Sequence, residues 1–169
     1  MIFVTVGTAL GFERFVDAVD EWAAHHPDVS CFAQIGQSDA PPRHMEWANS
    51  IDADRFRDLS QGATVIAAHA GMGTIIDALA AGTPVIIFPR RADLNEQRND
   101  HQLATVDHFA ERKGIHAART VDELTDLLDR RNQLEAPDPI GPDASPELID
   151  GLRQFFDRGA GEAASKRLS

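Results

Sequence analysis

The stretch Val65-Ile66-Ala67-Ala68-His69-Ala70-Gly71-Met72-Gly73-Thr74-Ile75-Ile76-Asp77 sets a histidine and a Gly-x-Gly-Thr turn between an apolar run and a helix-like pattern. That order places a helix N-terminus at the C-terminal end of a buried strand. The first N–H groups of a helix have no intrahelical partner and carry partial positive charge, so phosphate oxygens bind there. Glycine lets a ligand approach the backbone closely. The turn reads as a nucleotide or diphosphate site. A plain tight strand-to-helix turn accounts for the same spacing, and a structural hydrogen bond accounts for His69. The dinucleotide fingerprint requires a third glycine where Ile76 stands, and no Gly-x-x-x-x-Gly-Lys-Ser/Thr stretch exists. A nicotinamide or flavin cofactor and a P-loop are therefore not expected.

A second polar cluster follows the next apolar run: Pro89-Arg90-Arg91-Ala92-Asp93-Leu94-Asn95-Glu96-Gln97-Arg98-Asn99-Asp100-His101-Gln102. Its position puts it at the same sheet edge, where open α/β sheets bind ligands. Arg90, Arg91 and Arg98 can focus an anion in an otherwise acidic chain. Asn99, Asp100, His101 and Gln102 supply the donors and acceptors that sugar hydroxyls require. A solvated loop with an Asn or Asp helix cap fits the composition equally well.

The elements that must position these residues alternate. Residues 2–6, 29–35, 65–68, 85–88 and 115–118 read as strands, with residues 44–48 as a short further strand. Apolar positions 12, 15, 16, 19, 22 and 23 mark a helical face, with Trp22 extending it. Residues 54–59, 74–81 and 99–113 read as helices, the last two stopped by Gly82 and Gly114. Thr120-Val121-Asp122-Glu123 is a capping box that opens a helix to about residue 131. The alternation predicts a Rossmann-like α/β fold, a parallel sheet with helices on both faces. Residues 1–135 form the expected binding domain. The proline-bearing residues 136–145 are an expected linker, and residues 146–169 an expected terminal helix, capped by Ser145, with a frayed tail. Asp17, Asp20 and Glu21 read as a solvated face. Trp47 reads as strand packing, Cys31 as a strand residue, and His44, His108 and His116 as surface or packing residues.

Bulk properties bound the function. A chain of 169 residues suits one domain with a sizeable core. The net charge of -11 argues against a nucleic-acid partner. One cysteine and a basic-poor, β-branched start predict a cytoplasmic chain without signal peptide or membrane span. The seven histidines show no metal-ligand spacing.

The start Ile2-Phe3-Val4-Thr5-Val6-Gly7-Thr8, the His69–Asp77 motif and the Asn99-Asp100-His101-Gln102 string together resemble glycosyltransferase family 28. The resemblance is to its C-terminal, nucleotide-sugar-binding half and covers about residues 1–130. It is nearest to small stand-alone subunits of the PssE type and of the two-subunit transferase that adds the second GlcNAc to dolichol-linked sugar. The two-domain MurG is more distant. The resemblance implies the C-terminal lobe of a GT-B glycosyltransferase holding a UDP-sugar. It assigns the diphosphate to Gly71, Met72, Gly73 and Thr74, faced by Gly7 and Thr8, with His69 stabilising the leaving group. It assigns the ribose to Asp77, where relatives often carry Glu. It assigns the donor sugar to Asn99, Asp100, His101 and Gln102, and uracil to the loop at residues 50–53. It implies inversion without a metal or cofactor, a lipid-linked saccharide acceptor, and a membrane-associated partner subunit that supplies the acceptor lobe. A nucleotide-sugar-binding regulatory or scaffold module remains the alternative.

Overall fold

The computed structural model describes residues 1–8 and 10–138; the expected terminal helix over residues 146–158 and most of the expected linker lie outside them. Six strands form one parallel sheet: β1 (Ile2–Thr5), β2 (Cys31–Gln34), β3 (Glu46–Ala48), β4 (Val65–His69), β5 (Val85–Phe88) and β6 (Ile115–Ala117). Their order is β3-β2-β1-β4-β5-β6. Between and after them run α1 (Glu13–Ala24), α2 (Ala53–Gly62), α3 (Met72–Ala81), α4 (His101–Phe109) and α5 (Val121–Asp129). This is the Rossmann-like α/β fold the alternation predicts.

Side chains of β1 alternate between the two faces, as the two-residue period of a strand demands. Ile2, Val4 and Val6 join a buried cluster with Phe12, Phe15, Val16 and Val19 of the α1 side. Phe3 points the other way and meets Phe32 and Phe56. Helices α1 and α5 pack on each other, and so do α2 and α3. The first contact is fastened by Trp22, whose Nε1 donates to Asp129 Oδ1 at 2.7 Å. Thr120 forms the expected capping box with Glu123.

Several boundaries and readings shift. Helix α4 spans His101–Phe109, inside the expected 99–113; its start is delayed because Asn99 and Asp100 turn their side chains onto backbone N–H groups. Helix α2 is longer than expected: Asp52 accepts from Arg55 N at 2.8 Å and starts it at Ala53. Strand β2 is shorter than residues 29–35, and β3 holds only three residues. Asp20 is not on a solvated face. It is 9% exposed and accepts from the backbone N–H groups of Arg43 and His44 and from His44 Nδ1. An acidic helix position next to a proline-rich loop is needed to satisfy those turn amides. Trp47 is 43% exposed on the edge strand rather than packed.

Candidate functional site

Strands β1 and β4 are neighbours in the middle of the sheet, and the chain leaves them in opposite directions. Ligands of such sheets bind where the order reverses, outside the strand C-termini. An open cleft of about 1170 Å³ lies there. Its floor carries Thr5 and Gln34, joined by a 2.9 Å hydrogen bond from Thr5 Oγ1 to Gln34 Oε1.

After β4 the chain turns into a helix as expected, but α3 starts at Met72, two residues before the expected 74–81, so Gly73 and Thr74 lie in its first turn. Gly71 is the N-cap of α3 and its N–H donates to His69 O at 2.7 Å. Ile75 N makes the first bond of the helix, to Gly71 O. The N–H groups of Met72, Gly73 and Thr74 precede it and have no helical acceptor, and no side chain caps them. A Cβ built at Gly73 meets nothing within 4 Å, so this turn is open to an approaching anion.

His69 lies between two glycines. A Cβ at Gly7 would stand 3.1 Å from its Cε1, and a Cβ at Gly71 would overlap the ring. Gly7 also has φ +80°, a conformation that favours glycine. Burial, and then the charge of Arg90, push the imidazole pKa down to about 4, against a smaller opposing pull from the Thr5 backbone. The ring is therefore neutral near pH 7, and its Nδ1 is buried without a partner. At neutral pH the ring offers a neutral N–H and a lone pair rather than a cationic charge.

Asp77 lines the cleft one helical turn beyond Thr74. Desolvation on the wall raises its carboxyl pKa. Ile51, Asp52 and Ala53 line the cleft as well, so the loop at residues 50–53 reaches the site.

The loop after β5 differs from expectation. Of its three arginines, only Arg98 is free to meet a ligand. Arg90 is 3% exposed, and its guanidinium donates to the carbonyls of Val6, Leu10 and Gly11. Arg91 pairs with Asp93 at the surface. Arg98 lines the cleft and makes no hydrogen bond or ion pair among the described residues. Gln102 is 7% exposed; its Oε1 accepts from Arg90 N at 3.0 Å and its Nε2 donates to Gln97 Oε1 at 2.8 Å. Asp100 accepts from Ala92 N and Asn99 from His101 N. Thus Gly7, Thr8, His69, Gly73, Thr74 and Asp77 border one cleft, joined by Asn99 and Gln102. Gly71, Met72, Asp100 and His101 stand outside its wall.

Sequence reasoning missed Arg14 and Glu96. Arg14 donates to both oxygens of Glu96 at 2.6 and 2.8 Å and to Pro89 O at 3.0 Å, and it lies over the Phe88 ring. Glu96 Oε2 also accepts from Arg91 N. The lone signal was a pair of opposite charges in two segments that both leave the same sheet edge.

Among the described residues, no helix is long and apolar enough to cross a membrane, and no His, Cys, Asp and Glu cluster is placed to hold a metal ion.

Residues 1–137 match the glycosyltransferase family 28 C-terminal domain. A curated relative from Parasynechococcus marenigrum (strain WH8102) is 29% identical over 119 residues. It is the UDP-N-acetylglucosamine--N-acetylmuramyl-(pentapeptide) pyrophosphoryl-undecaprenol N-acetylglucosamine transferase. The match takes in 69% of this chain and 32% of that relative, so the chain spans about a third of its length. Among solved structures, ALG13 superposes with a TM-score of 0.59 at 18% identity, covering 89% of this chain and 93% of that one. MurG of Acinetobacter baumannii gives 0.55 at 22% identity, covering 78% and 42%. These likenesses show a shared fold, that of GT-B glycosyltransferase C-terminal lobes. With the family matched over residues 1–137, the chain belongs to glycosyltransferase family 28, through its C-terminal domain.

Proposed function

We propose that this chain is the donor-binding catalytic subunit of an inverting UDP-sugar glycosyltransferase that acts on a lipid-linked acceptor in exopolysaccharide or glycan assembly. One observation carries the reading. Three unpaired N–H groups at the start of α3 stand at the strand switch point, beside a cleft that the partnerless Asp77 carboxylate also lines. A nucleoside diphosphate needs both: N–H groups for its phosphates and a carboxylate for its ribose hydroxyls. The UDP-GlcNAc donor in the curated relative's name supports the choice of nucleotide.

In the reaction, an acceptor hydroxyl attacks the anomeric carbon as its bond to the β-phosphate oxygen breaks. The electron pair of that bond leaves with UDP. Negative charge grows on the diphosphate, and amides fixed in advance stabilise it more than they stabilise the ground state. Met72, Gly73 and Thr74 supply those amides, with Thr8 across the cleft. Neutral His69 adds one further donor without a charge to be desolvated. The donor sugar is assigned to Asn99 and Gln102, which line the cleft, and to Asp100 and His101 beside its wall. The acceptor site and general base belong to a membrane-associated partner subunit that docks beside Gly7, Gly71 and His101.

Calorimetry of the chain with UDP, and then with UDP-Glc, UDP-GlcNAc, UDP-GlcA and UDP-Gal, tests the donor site. Binding of UDP is expected, and failure to bind any of them overturns the reading. Supplying UDP-sugar and lipid-linked acceptor with and without membranes of the source cell tests the partner. Turnover only with membranes is expected. Equal turnover by the chain alone overturns the two-subunit arrangement. Binding without turnover in either arm favours the scaffold module instead.

A further inference from the structure

A buried arginine is costly unless its N–H groups and its charge are both met. Arg90 meets them in an unusual way, with backbone carbonyls and an aromatic face and no carboxylate bonded to its guanidinium. Nη2 donates to Val6 O at 3.2 Å and to Leu10 O at 2.9 Å, Nη1 donates to Gly11 O, and the Phe12 ring lies 4.5 Å from the guanidinium carbon. Val6 stands at the start of the loop between β1 and α1, and Leu10 and Gly11 stand at its end. One planar fork therefore holds both ends of that loop. Thr8 lies between the held ends, lines the cleft, and makes no hydrogen bond among the described residues. The backbone N–H of Arg90 donates to Gln102 Oε1, which anchors the root of the side chain.

We propose that Arg90 is a positioning residue: by pinning the carbonyls of Val6, Leu10 and Gly11 it holds the Thr8 segment in place for the donor diphosphate. The proposal rests on the nucleotide reading above. A hydrophobic side chain of similar volume would fill the same space without desolvating a charge, so core filling does not explain the arginine. A lysine brings the charge but no rigid fork, and it cannot reach three spread carbonyls at once.

The test compares the parent chain with Arg90→Lys and Arg90→Met. Two readouts are needed, one with ligand and one without. Calorimetry with UDP and uridine gives the contribution of the diphosphate as the ratio of the two affinities. That ratio is expected to fall about tenfold in Arg90→Lys and further in Arg90→Met, since a loop that must order on binding loses affinity. A role in folding alone would lower melting temperature and leave the ratio unchanged, which overturns the proposal. In the free protein, ¹⁵N relaxation is expected to show Thr8, Leu10 and Gly11 losing order in Arg90→Lys while residues 72–74 keep theirs. Unaltered order at Thr8 overturns the proposal even if UDP binding falls. If Arg90→Met does not fold, the lysine variant alone decides both readouts. A parent chain that ignores UDP defeats the nucleotide reading, and with it the ligand half of this one. Relaxation then still decides whether Arg90 orders the loop.

Discussion

The turn after β4 and the loop after β5 stand side by side at one sheet edge, and both are polar. The first leaves its groups unmet: the amides of Met72, Gly73 and Thr74 have no acceptor among the described residues. The second uses most of its groups on itself. Glu96 accepts from Arg14 and Arg91 N, Gln102 accepts from Arg90 N and donates to Gln97, and Asp100 accepts from Ala92 N. Polarity alone does not mark a binding residue; an unmet donor or acceptor facing a cleft does. The β4 turn is short and lies at a helix start, where backbone geometry leaves amides unmet. The β5 loop is long, and a long loop must satisfy its own backbone before it can offer anything outward.

The contrast can be broken by substitution. Gly73→Val is the largest test. It adds bulk where the protein itself has open space, so melting temperature should hold while UDP affinity falls about a hundredfold, or about 3 kcal/mol. UDP affinity that survives in calorimetry would remove the diphosphate from this turn. Glu96→Gln comes next. Loss of the partly buried pair with Arg14 should destabilise the chain by about 2 kcal/mol in urea titration, with UDP affinity little changed. A collapse of UDP affinity with stability intact would make the β5 loop a phosphate site after all.

Acidification probes His69. Its folded pKa, about 4, lies below the value of about 6.5 for an unfolded chain. The unfolded state therefore binds the proton first. The neutral ring's contribution is fully present above pH 6.5 and is lost as pH falls toward 4. After allowance for partial solvent access, His69→Gln should remove about 2 kcal/mol of that pH dependence. Identical pH profiles for parent and variant would mean that the ring is solvated. The smallest effect is at Asp77. Asp77→Asn should weaken UDP by about 1 kcal/mol and leave 2′-deoxy-UDP nearly untouched. Equal losses for the two nucleotides would place the ribose elsewhere.

The sequence showed the sheet, the β4 turn and the family because each rests on local order: apolar runs, a glycine pair, a capping box at Thr120. It did not show which polar side chains the fold would consume. Asp20 looks solvated until the turn at Arg43 and His44 folds over it. Arg90 looks like an anion hook until Leu10 and Gly11 arrive from 79–80 residues away. Such pairings depend on which loops share a sheet edge, and that is fixed by strand order rather than by spacing.

Strand order also governs how the cleft comes into being. β1 lies at the centre of the sheet, yet its neighbours are distant in the chain: Thr5 and Gln34 are 29 residues apart, and Met1 and Thr64 are 63 apart. Contact order is therefore high around the cleft, and folding is slowed by closure of long loops. The cleft does not exist until β4 has docked on β1. A nucleotide that binds the finished cleft can retard unfolding but has nothing to grip on the way in. Stopped-flow refolding with UDP present should show an unchanged folding rate and a slower unfolding rate.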